Sequence, residues 1–468
     1  MRYLFILLIS LSFLQAYGVW TQQSDRGLAL MGIQALDNQR AWIAGTSQSL
    51  AAIYFTTNGG NNWNSSNAAF SMLWMDIAFD PTSKWGIVGG LGLSIMGWSQ
   101  IALTTNGGSS WTKKDPTQTL TTEVKAVQFI APTTYLAVAN VGQNSTPELW
   151  ISTNLGNNWT RKTLNHDNYC QDLHFFNTST GFVVMGDWPD DVQNMANQYR
   201  LYKNPMKKYA KTANQYRCSI LFTSDGGNHW TVQYDDIGHF YGFGISMVNQ
   251  QEGWVACDGY GGAGSRILHT NNGGSSWLEQ TIPDGGRTYF LSDVHFVDNQ
   301  CGWAVGGASS GVAICYIMHT IDGGTNWIKD SFAPVGPAMA CHFPNKSSGW
   351  AVGANDVTQT GRIYLYLDKS GISENKYSES IPLKMNINCS PNPVSRNANV
   401  SFSLSESGNT TLKIYDLQGK CRKTLLAKFL DKGNHNIGMN IEELRNGSYF
   451  LVMNQGNNKK AITILKVE

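Results

Sequence analysis

From residue 19 to residue 368, apolar positions alternate with polar ones in short runs, and the runs end at Gly, Asn, Asp or Ser. A period of two puts every second side chain on one face, so the runs predict β-strands half buried against a core. Residues 386 to 468 alternate in the same way around Asn/Gly turns, after a polar stretch, 369 to 385, that reads as a linker. The first residues differ. Arg2 precedes an apolar run from Leu4 to Leu14, closed by Ala16-Tyr17-Gly18. This is the layout of a secretory signal peptide, with cleavage expected after Gly18. The run is well short of the roughly 20 residues that a spanning helix needs. Nothing later is apolar enough to span, so no transmembrane segment is expected.

The strands come in repeats. Six segments share one frame: Thr56-Thr-Asn-Gly-Gly-Asn-Asn-Trp63, Thr104 to Trp111, Ser152 to Trp159, Thr223-Ser-Asp-Gly-Gly-Asn-His-Trp230, Thr270 to Trp277 and Thr320 to Trp327. Their Trp-to-Trp intervals are 48, 48, 71, 47 and 50, so one repeat carries an insertion of about two dozen residues. A second phrase falls between these: Gly253-Trp-Val-Ala-Cys257, Gly302-Trp-Ala-Val-Gly306 and Gly349-Trp-Ala-Val-Gly353, with looser copies at Ala41 to Gly45, Trp85 to Gly89, Tyr135 to Ala139 and Gly181 to Gly186. A third precedes it, as in Asp76-Ile-Ala-Phe79, Asp172-Leu-His-Phe175, Asp293-Val-His-Phe296 and Ala340-Cys-His-Phe343. Each repeat reads as three strands, a Gly-Gly turn and a fourth strand, which is one propeller blade.

Turn chemistry accounts for the first frame. Asn or Asp at its third position is expected to bond the backbone two residues on, Gly supplies positive φ, and the leading Thr or Ser hydroxyl satisfies another turn amide. Four of the six third positions are neutral Asn, which leaves little charge for a calcium site. The frame is therefore read as structural.

The second phrase occurs seven times but the Gly-Gly turn only six, because the last repeat ends at Arg362-Ile-Tyr-Leu-Tyr-Leu367 with no closing Trp. Val19-Trp20-Thr21-Gln22-Gln23 resembles Trp230 to Tyr234 and Trp277 to Thr281, the strands that follow complete turns. The mature N-terminus is thus expected to complete the blade formed by residues 338 to 368. The fold expected is all-β: a seven-bladed β-propeller over residues 19 to 368, closed by the N-terminal strand, then a small C-terminal β-sandwich over 386 to 468.

Composition narrows the partners. Lys plus Arg total 34 against 33 Asp plus Glu, a net charge of +1, so no strong field for nucleic acid exists. Charged residues are only 14% of the chain, against about 25% in ordinary domains, while Gly (48) and Trp (16) are plentiful. Eight cysteines suit an oxidising compartment. Six of them, Cys170, Cys218, Cys257, Cys301, Cys315 and Cys341, allow 15 pairings, among which spacing does not choose, and buried thiols remain open. No CxxC pair or Cys/His cluster occurs; neither a metal nor a cofactor is expected.

The turn frame resembles the Asp-box, or bacterial neuraminidase repeat, pattern Ser/Thr-x-Asp-x-Gly-x-x-Trp. Together with the Gly-Trp-Ala-Val-Gly phrase, it makes residues 19 to 368 similar to the propeller family of the photosystem II assembly factor Ycf48/Hcf136. That fold class contains assembly factors, sialidases and other glycosidases, so it implies architecture and leaves function open. A sialidase needs arginines to hold a carboxylate and a Tyr/Glu nucleophile pair. The early Arg-Ile-Pro-type motif is absent, and Arg161, Arg200, Arg217, Arg266, Arg287 and Arg362 identify no triad. A neutral-glycan hydrolase would require two suitably separated carboxylates.

Residues that break the repeat are the better candidates for a site. Recurrent His174, His295 and His342 share one register and His269 and His319 another, which favours packing or channel lining. The insertion from Asp187 to Arg217 lies between the second and third strands of its blade, on the face opposite the Gly-Gly turns. It carries Trp188, Tyr199, Arg200 and Tyr202; on the same expected face lie Asp235, His239, Tyr241, Asp258, Tyr260, Arg287 and Tyr289. Aromatic rings beside polar groups suit a glycan or a protein ligand. The same loop also reads as a solvated flap. Asp235 and Asp236, adjacent on a strand, point to opposite sides and do not jointly flank one bond. The leading reading is a non-enzymatic surface or extracellular binding module; a sialidase-like or neutral-glycan hydrolase is the alternative, and no catalytic residue is assigned.

Residues 386 to 468 contain Ser390-Pro-Asn-Pro393, Tyr415-Asp-Leu-Gln-Gly-Lys420, Gly447-Ser-Tyr449 and a basic final strand. This ordered set resembles the type IX secretion C-terminal sorting domain of Bacteroidota. It implies export to the periplasm, transfer across the outer membrane to the surface or medium, and the type IX machinery as partner. Cys389 and Cys421 lie outside that pattern and are candidates for a local bridge. Removing residues 386 to 468 is expected to strand the protein in the periplasm, as read by cell fractionation; unchanged surface delivery would refute the sorting role.

Overall fold

The computed structural model describes residues 18 to 368 and 386 to 467, apart from 187–216 and the short stretches 24, 48–49, 67, 69–70, 72, 94–99, 118–120, 132, 143–145, 260–263, 288, 309–313, 333, 356–359, 391, 405, 417–419 and 456–457. The expected signal peptide up to residue 17 and the linker therefore lie outside the described residues. The chain divides into two compact units, Met1–Ser373 and Glu374–Glu468. Apart from one 3-10 turn at Pro283–Gly286, the regular structure among the described residues is antiparallel strand.

The larger unit is made of four-strand meanders. Five sheets have four strands each, and an eight-stranded sheet joins two further meanders where Thr121–Glu123 pairs with Leu91–Leu93. The first strands of the meanders are Ala29–Ala35, Trp74–Phe79, Thr121–Ala131, Cys170–Phe175, Phe240–Met247, Tyr289–Phe296 and Ala338–Asn345. Each touches the next, and the last touches the first. These strands thus line the middle of a closed circuit, the arrangement of a β-propeller.

The recurring aromatics hold neighbouring sheets face to face. Trp42, Trp254 and Trp303, from the second phrase, stack on Phe79, Phe296 and Phe343 of the next inner strand at 4.2, 3.5 and 3.8 Å. The turn Trp of a sheet then meets the same Phe edge-on: Trp111 on Phe79 at 5.9 Å and Trp327 on Phe296 at 5.7 Å. The edge-on contacts suit the ring quadrupole, and the close stacking buries the full ring faces.

Two circuits of polar side chains supplement this packing. Every inner strand carries a register shift just before the position held by Gly32, Asp76, Ala126, Asp172, Gly244, Asp293 and Ala340. Such a bulge leaves backbone groups out of the ladder, and buried N–H groups need acceptors. The previous strand supplies them. Asp76 accepts from Val127 N, Asp172 from Ile245 N and Asp293 from Cys341 N at 2.8 to 2.9 Å, while the second oxygen of each accepts the following N–H of its own strand. At the alternate junctions Gln34 takes Phe79 N, Gln128 takes Phe175 N and Ser246 takes Phe296 N. Burial raises the carboxyls of Asp76 to about 6 and Asp293 to about 7 despite two N–H donors each. Asp172 is pushed well up, first by burial and then by the charge of Asp293.

The second circuit runs on the side of the Gly-Gly turns. The residue three after several of the turn Trp reaches the turn of the next sheet: Gln280 donates to Gly323 O and accepts from Trp327 Nε1, Gln233 donates to Gly273 O, and Lys162 donates to Gly226 O. A Cβ on Gly324 (φ +87) would fall 2.0 Å from Gln280 Oε1, and one on Gly60 (φ +80) 2.2 Å from Gln23 Oε1. The second glycine is required both by its backbone and by its neighbour.

The turns differ from expectation in one respect. Asn58 Oδ1 accepts from Asn62 N, four residues on, at 3.0 Å, and the same spacing recurs at Asn106, Asn154, Asp225, Asn272 and Asp322. The leading hydroxyl takes the nearer amides, Thr56 Oγ1 from Asn58 N and Gly60 N, leaving the far amide for the Asx side chain.

The N-terminal strand closes the circuit as expected. Val19–Gln22 pairs antiparallel with Tyr364–Leu367, opposing Trp20 to Tyr366 and Gln22 to Tyr364. Trp20 occupies the missing turn-Trp position: it meets Phe343 edge-on at 5.9 Å and donates Nε1 to Asp330, three residues after Trp327. Asp330 is also bonded by His319 Nδ1 at 2.6 Å. Asp25 receives Arg362 on both oxygens at 2.6 Å, holding the segment that leads into the first inner strand.

In the smaller unit, Asn386–Ser390, Asn397–Leu404 and Gly433–Asn440 form one sheet, and Cys421–Leu430, Gly408–Tyr415, Gly447–Gln455 and Asn458–Lys466 another. Both contribute to one core that includes Val400, Phe402, Ile414, Leu451 and Ile464. The candidate Cys389–Cys421 bridge is not formed: Cys389 lies in that core, whereas Cys421 is exposed with its sulfur on Lys423 O.

Trp20→Ala removes a buried ring and the indole donor to Asp330 Oδ2, while His319 stays on Oδ1, so it is expected to destabilise the larger unit by roughly 3 to 5 kcal/mol in denaturant titrations. A loss below about 1 kcal/mol would mean that the N-terminal strand does not close the ring.

Candidate functional site

In a four-strand meander, loops joining the second to the third strand and the fourth to the next first strand share one face, and the Gly-Gly turns lie on the other. The described candidates fall on the first face. Arg217 begins the strand Arg217–Thr223, Asp235 lies near the end of Thr231–Ile237, His239 is in the link to the next sheet, and Tyr241 opens Phe240–Met247. Asp258 ends Gly253–Gly259, while Arg287 and Tyr289 sit at the entry to Tyr289–Phe296. Trp188, Tyr199, Arg200, Tyr202 and Tyr260 lie outside the described residues.

Two polar clusters emerge. In the first, Arg217 clasps both oxygens of Asp235 at 2.6 Å and reaches Asp167 at 2.7 Å, and Ser219 donates to Asp235 at 2.9 Å. The guanidinium holds the Asp235 carboxyl below its usual range, and Asp235 in turn raises Arg217. Bidentate pairing fixes the plane of both groups. Asp236 turns away to His239 Nδ1 at 3.0 Å, in agreement with strand alternation.

In the second, Tyr241 Oη donates to Asp258 Oδ2 at 2.8 Å, and Ser265 Oγ donates to Oδ1 at 3.0 Å. Burial is the largest influence on Asp258 and lifts its carboxyl to about 6, against the two hydroxyl donors. Tyr289 is spent on packing: its ring stacks on Tyr316 at 3.5 Å and its hydroxyl donates to Pro283 O. Arg287 is exposed. Among the described candidates, the structure groups Arg217 with Asp235, and Tyr241 with Asp258.

Sequence reasoning missed Asp167, Ser219, Ser265 and Tyr316. None belongs to a repeat phrase, and only the pairing of strands brings them to the named residues. The recurrent histidines behave as expected of packing groups. His295 and His342 rings lie 4.3 Å apart in the inner strands, and burial pulls His174 and His342 down to about 4.

Two hollows open on the opposite, Gly-Gly-turn face. One, of about 430 Å³, is lined by Glu252, His269, Glu279, Gln280 and Asp322; the other, of about 460 Å³, by Met247, Asn249, Phe296 and Asp298. Among the described residues no group of three or more His, Cys, Asp or Glu is arranged to hold a metal ion.

Residues 388–466 match the family of secretion system C-terminal sorting domains. This domain directs type IX export to the cell surface or the medium. Among solved structures, the chain is similar to Ycf48 bound to a peptide, at 15% identity and TM-score 0.50, over 75% of this chain and 96% of that one. It is also similar to Kuenenia stuttgartiensis hydrazine synthase, at 8% identity and TM-score 0.51, over 73% and 96%. PorZ, a surface component of the type IX secretion system of Porphyromonas gingivalis, aligns at 11% identity and TM-score 0.42, over 95% of this chain and 60% of that one. At such identities the likeness to the first two is one of fold, a β-propeller. No curated protein matches the chain. No described helix is long and apolar enough to cross a membrane.

In a carboxyl NMR titration Asp258 is expected to titrate near pH 6. Tyr241→Phe removes a donor that favours the ionised form, so it should move the midpoint upward. A midpoint near 4 in the unaltered protein would show that the site is open to water.

Proposed function

We propose that residues 19 to 368 form a seven-bladed propeller that acts, once exported, as a non-enzymatic binding module, with residues 386 to 468 as a β-sandwich that addresses it and is removed on delivery. A signal peptide cleaved after Gly18 begins the route. The ligand face is the one that carries the 187–217 insertion, Asp235, His239, Tyr241, Asp258 and Arg287, and the ligand class is a peptide or a glycan.

One observation carries this reading: three carboxylates of that face, Asp235, Asp236 and Asp258, are held by neighbouring side chains. Arg217 and Ser219 occupy Asp235, His239 occupies Asp236, and Tyr241 and Ser265 occupy Asp258. Fixed, saturated polar groups suit recognition, whereas glycoside hydrolysis needs one carboxyl aimed at the leaving oxygen and a second at the sugar or a water. That one of the solved neighbours of the propeller is bound to a peptide supports a peptide as a ligand class.

The Tyr241–Asp258 hydrogen bond favours a second reading. A tyrosine beside a carboxyl raised to about 6 is the kind of pair a glycosidase uses, so glycan hydrolysis is the alternative.

The mature chain should bind members of a peptide and glycan panel without turning them over, and Arg287→Ala should weaken that binding about tenfold, as expected of an exposed cation in a contact. Turnover of a neutral or sialylated glycan, abolished by Asp258→Asn, would replace the first reading with the second.

A further inference from the structure

The sulfurs of Cys218 and Cys257 lie 3.6 Å apart, with both residues fully buried. They belong to neighbouring sheets: Cys218 to the third strand, Arg217–Thr223, of one, and Cys257 to the second strand, Gly253–Gly259, of the next. The core between them contains Phe182, Val184, Ile220, Val255 and Leu268. Gly242 leaves the space in which the sulfurs meet, because a Cβ there would come 3.0 Å from Cys218 Sγ and 2.4 Å from Val184. Two sulfurs in van der Waals contact close to a bond of about 2.05 Å by small side-chain rotations. The sorting domain, moreover, sends the chain out of the reducing cytosol.

We infer that Cys218 and Cys257 form a disulfide in the exported protein, a covalent strap between two neighbouring sheets at the root of the proposed ligand face. It would span a separation of 39 residues. Cys218 follows directly on Arg217, and Cys257 directly precedes Asp258, so the strap joins the two polar clusters at their bases.

The chemistry balances with a disulfide donor, either a periplasmic thiol–disulfide oxidoreductase or a small-molecule disulfide. The thiolate of one cysteine attacks the donor disulfide, and one donor sulfur leaves and takes up a proton. The second cysteine thiolate attacks the protein sulfur of the mixed disulfide; the protein S–S bond forms and the other donor sulfur leaves. Two electrons and two protons pass to the donor, which ends as two thiols. Burial pushes the Cys257 thiol well up, so thiolate is scarce once the sheets have packed. The bond therefore forms while the two sheets are still open, and the folded reduced protein should oxidise slowly.

The full mature chain, refolded with oxidised glutathione, is unfolded, alkylated and digested. Mass spectrometry should find the peptides containing residues 218 and 257 joined and lighter by two hydrogens. Reductant should lower the unfolding midpoint by roughly 5 °C in the oxidised protein and leave a Cys218→Ala/Cys257→Ala protein unmoved. Recovery of both cysteines carrying the alkyl label would overturn the inference. The peptide map decides the question even where the double variant fails to fold, and its result does not depend on whether the face binds a ligand.

Discussion

Buried backbone amides of each inner strand, some just after the bulge and some further along the strand, find their acceptors on the sheet before, and the contacts between sheets rest on those bonds. The acceptor comes from the sheet before, alternately as a carboxylate and as an amide or hydroxyl: Gln34, Asp76, Gln128, Asp172, Ser246 and Asp293. A carboxylate offers one oxygen to its own strand and the other to its neighbour, which an asparagine with a single acceptor oxygen would not do. These groups are buried together, and their charges repel, as the raised carboxyls of Asp172 and Asp293 attest. The arrangement persists because an unsatisfied buried amide is also costly.

The junction where the chain ends meet is held by other means. His342 stands two residues after Ala340, where Gln34, Gln128 and Ser246 stand in their strands, and its Nδ1 has no hydrogen-bond partner among the described residues, so this junction is secured from outside. Trp20 fills the turn-Trp place, Asp330 fixes its indole, and Asp25 clasps Arg362. Ser348 Oγ bonds Asn38 at 2.6 Å across the same junction. A strand from the N-terminal end thus supplies what the last repeat lacks, and the sheet edges are removed from pairing with other chains.

Periodicity separates framework from site. The residues that recur, such as the turn Thr, the Gly-Gly pair, the stacked Trp and Phe and the residue three after several of the turn Trp, are absorbed into sheet-to-sheet contacts. Those that do not recur, Arg217 with Asp167, Ser219 with Asp235 and Tyr241 with Asp258 and Ser265, collect on the loop face. Both clusters combine strand-end residues with one loop residue each, Asp167 and Ser265, and the Cys218 and Cys257 thiols lie beneath them.

Much of this architecture was legible along the chain. Alternation of period two announced strands, repeats of about fifty residues announced blades, and the surplus of one phrase over one turn located the closing strand. The sorting domain was legible too, since its motifs are local and ordered. Local order is what a sequence encodes directly, because hydrogen bonds within a turn or a hairpin join residues close in number. The partners of Asp76, Gln128 and Asp172 lie 45 residues or more away, and those of Trp20 and Asp25 more than 300. Spacing alone does not choose among such contacts, nor which two of six thiols meet. Closing the ring decided both, because only then do strand ends from neighbouring repeats share one buried space.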